Sequence, residues 1–322
     1  MPVQSESIAF KPEEMIACRK CGKSNPPTRL NCFYCAAELE ISTASAQHAK
    51  LNPRKLENWE KGFNIIYFPD ISGESSPDLT SIERFLSVDR EVLQKVFKIN
   101  KPLPLARLES HHQAEIAVQN LSLYGLSCLI VSDESLHAER FPVRLRGFEF
   151  KRESLVLTSF NTSEKTEILR DDVLMIVTGA VFESKIESVE KRKKKESKVL
   201  HETQTSSDEV LIDIYCGDDM TGYRIPVKGF DFSCLGTEKG LLAVENMRRL
   251  ISKLRGFAPG AIFVDDYLPN RGILDTVWEI EQRKDSLGLQ RSGFGKTDFT
   301  NIASSNNLQQ FTKYSRLQRR LL

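Results

Sequence analysis

The sequence has almost no excess charge of either sign and no long apolar run. Its 322 residues carry 45 Lys and Arg against 44 Asp and Glu, so no overall field draws the protein to nucleic acid or to a membrane. No segment approaches the roughly 18 apolar residues of a membrane-spanning helix, and the first residues lack the basic and apolar regions of a signal peptide. We therefore expect a soluble, cytoplasmic protein whose binding surfaces are local patches.

Residues arranged for catalysis are also missing. None of the five histidines is followed by a second histidine ligand four residues later, which argues against a histidine metal site. Residues 293–297 imitate the end of a phosphate-binding loop but lack its first glycine. Because no nucleophile or base is accompanied by an orienting group, we predict that the protein is not an enzyme and has no catalytic residues, cofactor-binding residues or small-molecule substrate. Three acidic pairs are interpreted mainly as turn residues: Asp171-Asp172, Asp218-Asp219 and Asp265-Asp266.

Cysteine is sparse too, but four of the seven cysteines form a pattern. Cys18, Cys21, Cys32 and Cys35 make two C-x2-C pairs separated by ten residues. Each pair can supply two thiolates to one ion, and the spacer can fold back to close a tetrahedral four-sulfur site. All four positions are then protein ligands, which predicts structural Zn²⁺. The alternatives are a reduced, metal-free pair of turns or a disulfide pair in an oxidising compartment.

Residues 15–40 resemble the short zinc ribbons found at the ends of many bacterial proteins. The match includes Cys21-Gly22, Asn25-Pro26-Pro27 and both later cysteines, whereas Ala36 replaces the usual second glycine. The spacing is also similar to RanBP2-type zinc fingers, although Ile16 stands where that family has tryptophan. Such ribbons bind nucleic acid, contact proteins or only stabilise a chain, so the resemblance implies zinc but no single function. Four basic residues between the ligands make nucleic acid a candidate partner: Arg19, Lys20, Lys23 and Arg29.

Three regions are expected after the ribbon. Residues 41–60 are polar and are interpreted as a linker. Residues 61–140 read as strand, two helices, strand, helix, strand, with a capping box at Ser110 and Gln113. This order and its apolar spacing resemble the C-terminal domain of the bacterial ribosomal stalk protein, which implies a small α+β sandwich.

The region 141–285 has strand periodicity and then one amphipathic helix. About seven short strands precede an apolar stripe of Val244, Met247, Leu250, Ile251 and Leu254. This order resembles a pleckstrin-homology-like (PH-like) antiparallel β domain capped by a helix; the rival interpretation is another small β-sandwich. The charged stretch 187–208 is expected to be an enlarged loop, and its Lys191–Lys195 run a solvated part of it. Residues 286–322 are expected to be mostly disordered, with a basic segment at helical spacing near the end.

The sequence therefore predicts an α+β protein with a zinc ribbon, a small α+β domain and a PH-like domain. Its expected function is that of a non-enzymatic zinc-binding adaptor or scaffold, with another protein as its main partner. One alternative is a nucleic-acid- or ribosome-associated factor that uses the basic ribbon. The other is a peripheral membrane-binding regulator that uses the basic C-terminal segment.

Overall fold

The chain forms two compact units, Met1–Ser135 and Leu136–Leu322. The computed structural model describes residues 10–40, 51, 54–70, 77–193, 196–293 and 296–322, and only the backbone of 190–193, 196–200, 287–293 and 296–299. Helices and sheets are both present, which confirms the α+β class. The two units are considered separately below.

The N-terminal part of the first unit is held by few elements. Strands β1 (Ile16–Ala17) and β2 (Ser24–Asn25) are two residues each and pair antiparallel. The buried apolar cluster between them and the following turns contains two cysteines and Leu39. So small an interior cannot offset the entropy of ordering this segment, and a cross-link or metal ion is needed to stabilise it.

A three-stranded antiparallel sheet with three helices follows. The order of the elements is the one that the apolar pattern predicts, and β3 is central, between β4 and β5. Each helix begins at a residue whose side chain accepts hydrogen bonds from the first turn, namely Asp78, Asp89 and Ser110. The bounds are β3 (Phe63–Phe68), α1 (Leu79–Leu86), α2 (Arg90–Ile99), β4 (Leu103–Leu108), α3 (His111–Leu123) and β5 (Ser127–Ser132).

The last part of the predicted linker is folded, which corrects the interpretation of residues 41–60. Nε of the buried Arg107 donates to Oδ2 of Asp133 at 2.8 Å, and its Nη1 donates to the carbonyls of Leu56 and Glu57. Leu56 is buried. These contacts hold residues 54–60 against the sheet because a buried guanidinium requires several acceptors. Residues 41–50 and 52–53 of the linker lie outside the described residues.

The second unit is built on one mixed sheet of nine strands. The strand order is β13-β14-β9-β10-β11-β6-β7-β8, and β12 also pairs with β9. Neighbouring strands are antiparallel except for β11 with β6 and β12 with β9. The strands are β6 (Val143–Phe150), β7 (Ser154–Ser159), β8 (Lys165–Leu169), β9 (Val173–Lys193), β10 (Glu196–Cys216), β11 (Tyr223–Pro226), β12 (Ile262–Val264), β13 (Glu281–Gly293) and β14 (Lys296–Asn306); the helices are α4 (Ala243–Phe257), α5 (Tyr267–Leu274) and α6 (Leu308–Arg320).

Most of the predicted stripe of α4 lies in the core of this unit. Met247, Leu250 and Leu254 are buried against the apolar faces of the sheet. Val244, which the periodicity places in the same stripe, is half exposed, because the first turn of α4 extends beyond the cluster of core residues. Among the described residues of this unit, six strands, β6 to β11, precede α4, where the sequence predicted about seven. A 3-10 turn, not a further strand, begins at Phe232.

The described residues of the charged stretch 187–208 do not form a loop. Residues 187–193 and 196–208 lie in strands β9 and β10, which pair from Glu196 opposite Lys193 to Cys216 opposite Val173. The prediction was wrong because this stretch is polar at most positions, so its sequence lacks the apolar alternation that marks a half-buried strand. The described part of the Lys191–Lys195 run belongs to β9.

The C-terminal region was also predicted wrongly as mostly disordered. Strands β13 and β14 form a hairpin that pairs with β9, and all residues of α6 from Gln310 to Leu317 are buried. Polar contacts fix this helix: Arg224 donates to Oγ1 of Thr312 at 3.0 Å, and the hydroxyls of Tyr215 and Ser315 lie 2.8 Å apart. The basic residues of this segment include the buried Lys313 and Arg316, which are not available to a membrane surface.

Candidate metal centre

The four N-terminal cysteines converge on one point. The Sγ atoms of Cys18 and Cys35 lie 3.6 Å apart, as do those of Cys21 and Cys32. All four sulfur atoms lie within 4.8 Å of one another. A tetrahedral zinc ion with Zn–S bonds of about 2.3 Å requires sulfur–sulfur separations of about 3.8 Å. The cluster therefore has the dimensions of a four-thiolate metal site.

Each C-x2-C pair is folded into the same tight turn. In the first, the N–H of Gly22 donates to the carbonyl of Cys18 at 2.7 Å, and φ of Gly22 is 69°. In the second, the N–H of Ala36 donates to the carbonyl of Cys32 at 2.9 Å, and φ of Ala36 is 58°. Ala36 thus adopts the left-handed conformation that glycine adopts more easily. The departure from the usual ribbon sequence does not change the geometry of the second turn.

Asn25 joins the two turns, a role that the sequence did not reveal. Its buried side chain donates to the carbonyl of Lys23 at 2.8 Å and to Sγ of Cys32 at 3.5 Å. Its Oδ1 accepts the N–H of Phe33 at 2.8 Å. Asn25 therefore supports the ligands from a second layer of contacts, the arrangement that orients and tunes metal-binding groups. The available signal was its place in the Asn-Pro-Pro segment of the ribbon pattern.

The pKa values of Cys32 and Cys21 are shifted in opposite directions. Burial opposes ionisation of Cys32, but hydrogen bonds from the backbone N–H groups of Tyr34 and Cys35 and from the side chains of Cys21 and Asn25 together lower its pKa to about 6. The backbone N–H of Lys23 favours the thiolate of Cys21, but burial and the neighbouring sulfur atoms raise the pKa of Cys21 to about 12. Four adjacent thiolates repel one another, so complete ionisation requires a cation, and a divalent ion would release the remaining protons on binding.

Two aromatic side chains project from the turn between Cys32 and Cys35. Phe33 is 69% exposed and Tyr34 is 56% exposed, and their rings meet edge to face at 5.5 Å. The Arg29 guanidinium lies 5.0 Å from the centre of the Phe33 ring, and Nζ of Lys23 lies 4.3 Å from that of Tyr34. We call these four residues the knuckle surface. It combines exposed aromatic rings with positive charge on a frame fixed by hydrogen bonds.

The basic residues Arg19 and Lys20 of the ribbon lie outside the knuckle surface. Arg19 forms an ion pair with Glu40, which offsets its charge. The sequence identified the basic residues of the ribbon but not the role of its aromatic pair. The signal that would have found them is the placement of two large apolar residues between metal ligands, where side chains point outward.

The three acidic pairs differ in what they contact. Oδ1 of Asp219 accepts the N–H of Thr221 at 2.8 Å, and Asp171 lies in a 3-10 turn before β9. Asp265 pairs with Arg255, and Asp266 accepts the hydroxyl of Tyr314 at 2.5 Å. Asp219 therefore serves its turn, as predicted, whereas Asp265 and Asp266 contact side chains 10 and 48 positions away.

Among the described residues, no helix has the length and hydrophobicity needed to cross a bilayer. Compared with protein-family profiles, with curated proteins and with solved structures, the chain has no significant match. Function is therefore inferred from the chain's own residues, above all from the four-cysteine cluster and the surface that it supports.

Proposed function

We propose that Cys18, Cys21, Cys32 and Cys35 bind one structural Zn²⁺ ion and that residues 15–40 form a zinc ribbon. The sulfur–sulfur distances support this, since two of them are 3.6 Å. Four thiolates complete the coordination of zinc and leave no position for water or substrate. The ion would replace the hydrophobic interior that this segment lacks.

We propose further that the protein is a non-enzymatic adaptor that binds a macromolecular partner through the knuckle surface. The observation that carries the proposal is the exposure of Phe33 and Tyr34 on a rigid frame: the N–H of Phe33 donates to Asn25, and that of Tyr34 donates to Sγ of Cys32 at 3.4 Å. Exposed aromatic residues beside arginine are typical of protein contacts, since they bury a large area at a low cost in side-chain entropy.

Metal analysis and affinity purification test the two parts separately. The reduced full-length protein is expected to contain one equivalent of zinc, and the Cys32→Ser variant less. The double variant Phe33→Ala, Tyr34→Ala is expected to keep its zinc but to lose the partners that the wild type retains. The control is Phe141→Ala, which removes an even more exposed aromatic ring from the second unit. An unchanged set of partners in the double variant would exclude the knuckle surface as the binding site.

A nucleic-acid- or ribosome-associated factor is the second candidate. Residues 18–35 contain four basic residues and no acidic one, and Phe33 and Tyr34 can stack on unpaired bases. Binding of labelled single-stranded RNA and DNA, measured by fluorescence anisotropy at several salt concentrations, tests it. This function predicts an affinity that falls with salt and with loss of the two rings. The absence of binding at low salt removes the candidate.

The finer assignments of fold and compartment are also proposals. The order from β3 to β5 supports a stalk-protein-like α+β domain, and strands β6 to β11 followed by α4 support a PH-like domain. None of the seven cysteines forms a disulfide in the described part of the chain, as is expected in the reducing cytoplasm. Experimental structures of the two units and thiol titration of protein purified from the native host test these assignments.

A further inference from the structure

A loop of the second unit presents aliphatic side chains to solvent just before α4. Leu241 is fully exposed, Leu242 is 61% exposed and Val244 is 51% exposed. We call these three residues the leucine tip. Scattered apolar residues are normal on a protein surface, but adjacent ones mark a contact site. The tip therefore needs an explanation beyond the packing of the unit itself.

The loop that carries the tip is held rigidly by polar groups of α4. The buried Asn246 accepts the N–H of Gly240 at 2.7 Å and donates to its carbonyl at 2.9 Å. Nη1 of Arg249 donates to the carbonyl of Glu238 at 2.8 Å. The leucines thus belong to a preformed surface, and binding through them costs little conformational entropy.

Helix α4 begins without a side-chain cap, as α5 and α6 do. The residue at its capping position, just before Ala243, is Leu242. Leucine is among the least favourable residues at this position. The first N–H groups of α4 therefore keep a positive partial charge beside the tip.

The surroundings of the tip are basic. Residues 237–257 contain five Lys and Arg against two Glu. Arg248 is exposed on α4, whereas Lys239 and Arg255 form ion pairs with Asp231 and Asp265 just outside this segment. One of the acids, Glu245, pairs with Arg249 at 3.6 Å. An apolar projection bordered by cations complements a surface that is anionic outside and apolar within, which is the arrangement of a bilayer containing acidic lipids.

We infer that the leucine tip and the basic side of α4 form a docking site for an anionic phospholipid membrane. The tip enters the boundary between headgroups and acyl chains, while Arg248 and its basic neighbours contact lipid phosphates. This places a membrane contact on α4, away from the buried C-terminal segment that the sequence suggested. Burial of each leucine contributes roughly tenfold to the affinity, and each basic residue at the surface contributes roughly fivefold.

Co-sedimentation of the full-length protein with vesicles tests the site. Phosphatidylcholine vesicles with and without phosphatidylserine are compared for the wild type, for Leu241→Ser with Leu242→Ser, and for the matched control Leu169→Ser with Leu268→Ser, which also removes two exposed leucines. The tip variant is expected to lose at least roughly tenfold in partitioning, and the control to bind like the wild type. Arg248→Glu is expected to weaken binding only to vesicles that contain phosphatidylserine.

The inference would be overturned if the wild type did not sediment with either kind of vesicle or if the tip variant bound as well as the wild type. It would also be overturned if the control variant lost as much binding as the tip variant. A wild-type dimer that the tip variant converts to a monomer would likewise show that the tip contacts a second protein copy and not lipid. The inference does not depend on the zinc ribbon, so Cys32→Ser protein is expected to sediment like the wild type.

Discussion

At the scale of single residues, the four-cysteine cluster was predictable and the residues that support it were not. Two cysteines separated by two residues can meet at one ion through a local turn, so their spacing alone indicated the cluster. Asn25 supports that cluster across the ribbon, where it contacts Cys32, and such a contact exists only once the chain has folded back. Phe33 and Tyr34 likewise form one exposed surface only in the folded chain, so the sequence did not indicate that surface.

Ala36→Gly is expected to stabilise the ribbon. Alanine at φ 58° costs about 1 kcal/mol relative to a residue without a Cβ, and the substitution removes that cost. Zinc affinity, measured by competition with a chelator, should rise roughly fivefold. The opposite substitution at the equivalent position of the first turn, Gly22→Ala at φ 69°, should lower the zinc affinity by a similar factor. An unchanged affinity in both variants would mean that the two turns do not limit zinc binding.

Asn25→Ala is expected to weaken zinc binding by roughly 10- to 100-fold, the usual effect of removing a second-layer partner. The change leaves the N–H of Phe33 without its acceptor and removes a donor from Cys32. Asn31→Ala is the control, because it deletes an amide that makes only an exposed contact. Chelator competition on both variants checks this. Equal losses in the two would assign the effect to the ribbon in general and not to Asn25.

At the scale of elements, prediction succeeded where the signal was local. Helices α1 to α3 combine a capping residue with apolar spacing, and both can be read within a few residues. Strands β13 and β14 and the polar ends of β9 and β10 (183–193 and 196–208) are polar at most positions of the sequence, so neither alternation nor a buried run distinguishes them from a loop. Their existence depends on backbone pairing between distant segments, such as Asn306 with Glu183.

The contact of β9 with α6 leaves no room for a side chain at Gly179. A methyl group there would lie 2.6 Å from Cδ2 of Phe311 and 2.8 Å from Cδ1 of Tyr267. Gly179→Ala is therefore expected to lower the free energy of unfolding of the second unit by roughly 1–3 kcal/mol. Phe311→Leu in the same chain should recover part of the loss, because it removes ring atoms from the crowded side. Urea denaturation of the two variants measures the effect; equal losses would contradict the proposed clash.

At the scale of the whole molecule, the second unit is completed by the last residues of the chain. Tyr215 meets Ser315, and Arg316 donates to the carbonyl of Leu136 at 3.3 Å. These contacts join residues 100 and 180 positions apart. Contacts between residues so far apart in the sequence carry no local sequence signal. Folding of this unit therefore depends on bringing distant segments of the chain together. That is why a polar segment resembling a disordered tail is in fact part of the interior.

Deletion of residues 308–322 is accordingly expected to prevent native folding of the second unit. It removes the helix against which Tyr215, Tyr267 and Gly179 pack, and it leaves the Arg224–Asp213 ion pair with water in place of Thr312. The free-energy cost of exposing a core and a buried charge pair together exceeds the usual free energy of unfolding of a domain of this size. Hydrogen exchange is expected to show lost protection across β9, β10 and β11, whereas removal of Leu322 alone should leave protection unchanged. Native protection in the longer deletion would show that α6 is an accessory element and that the sheet forms its core without it.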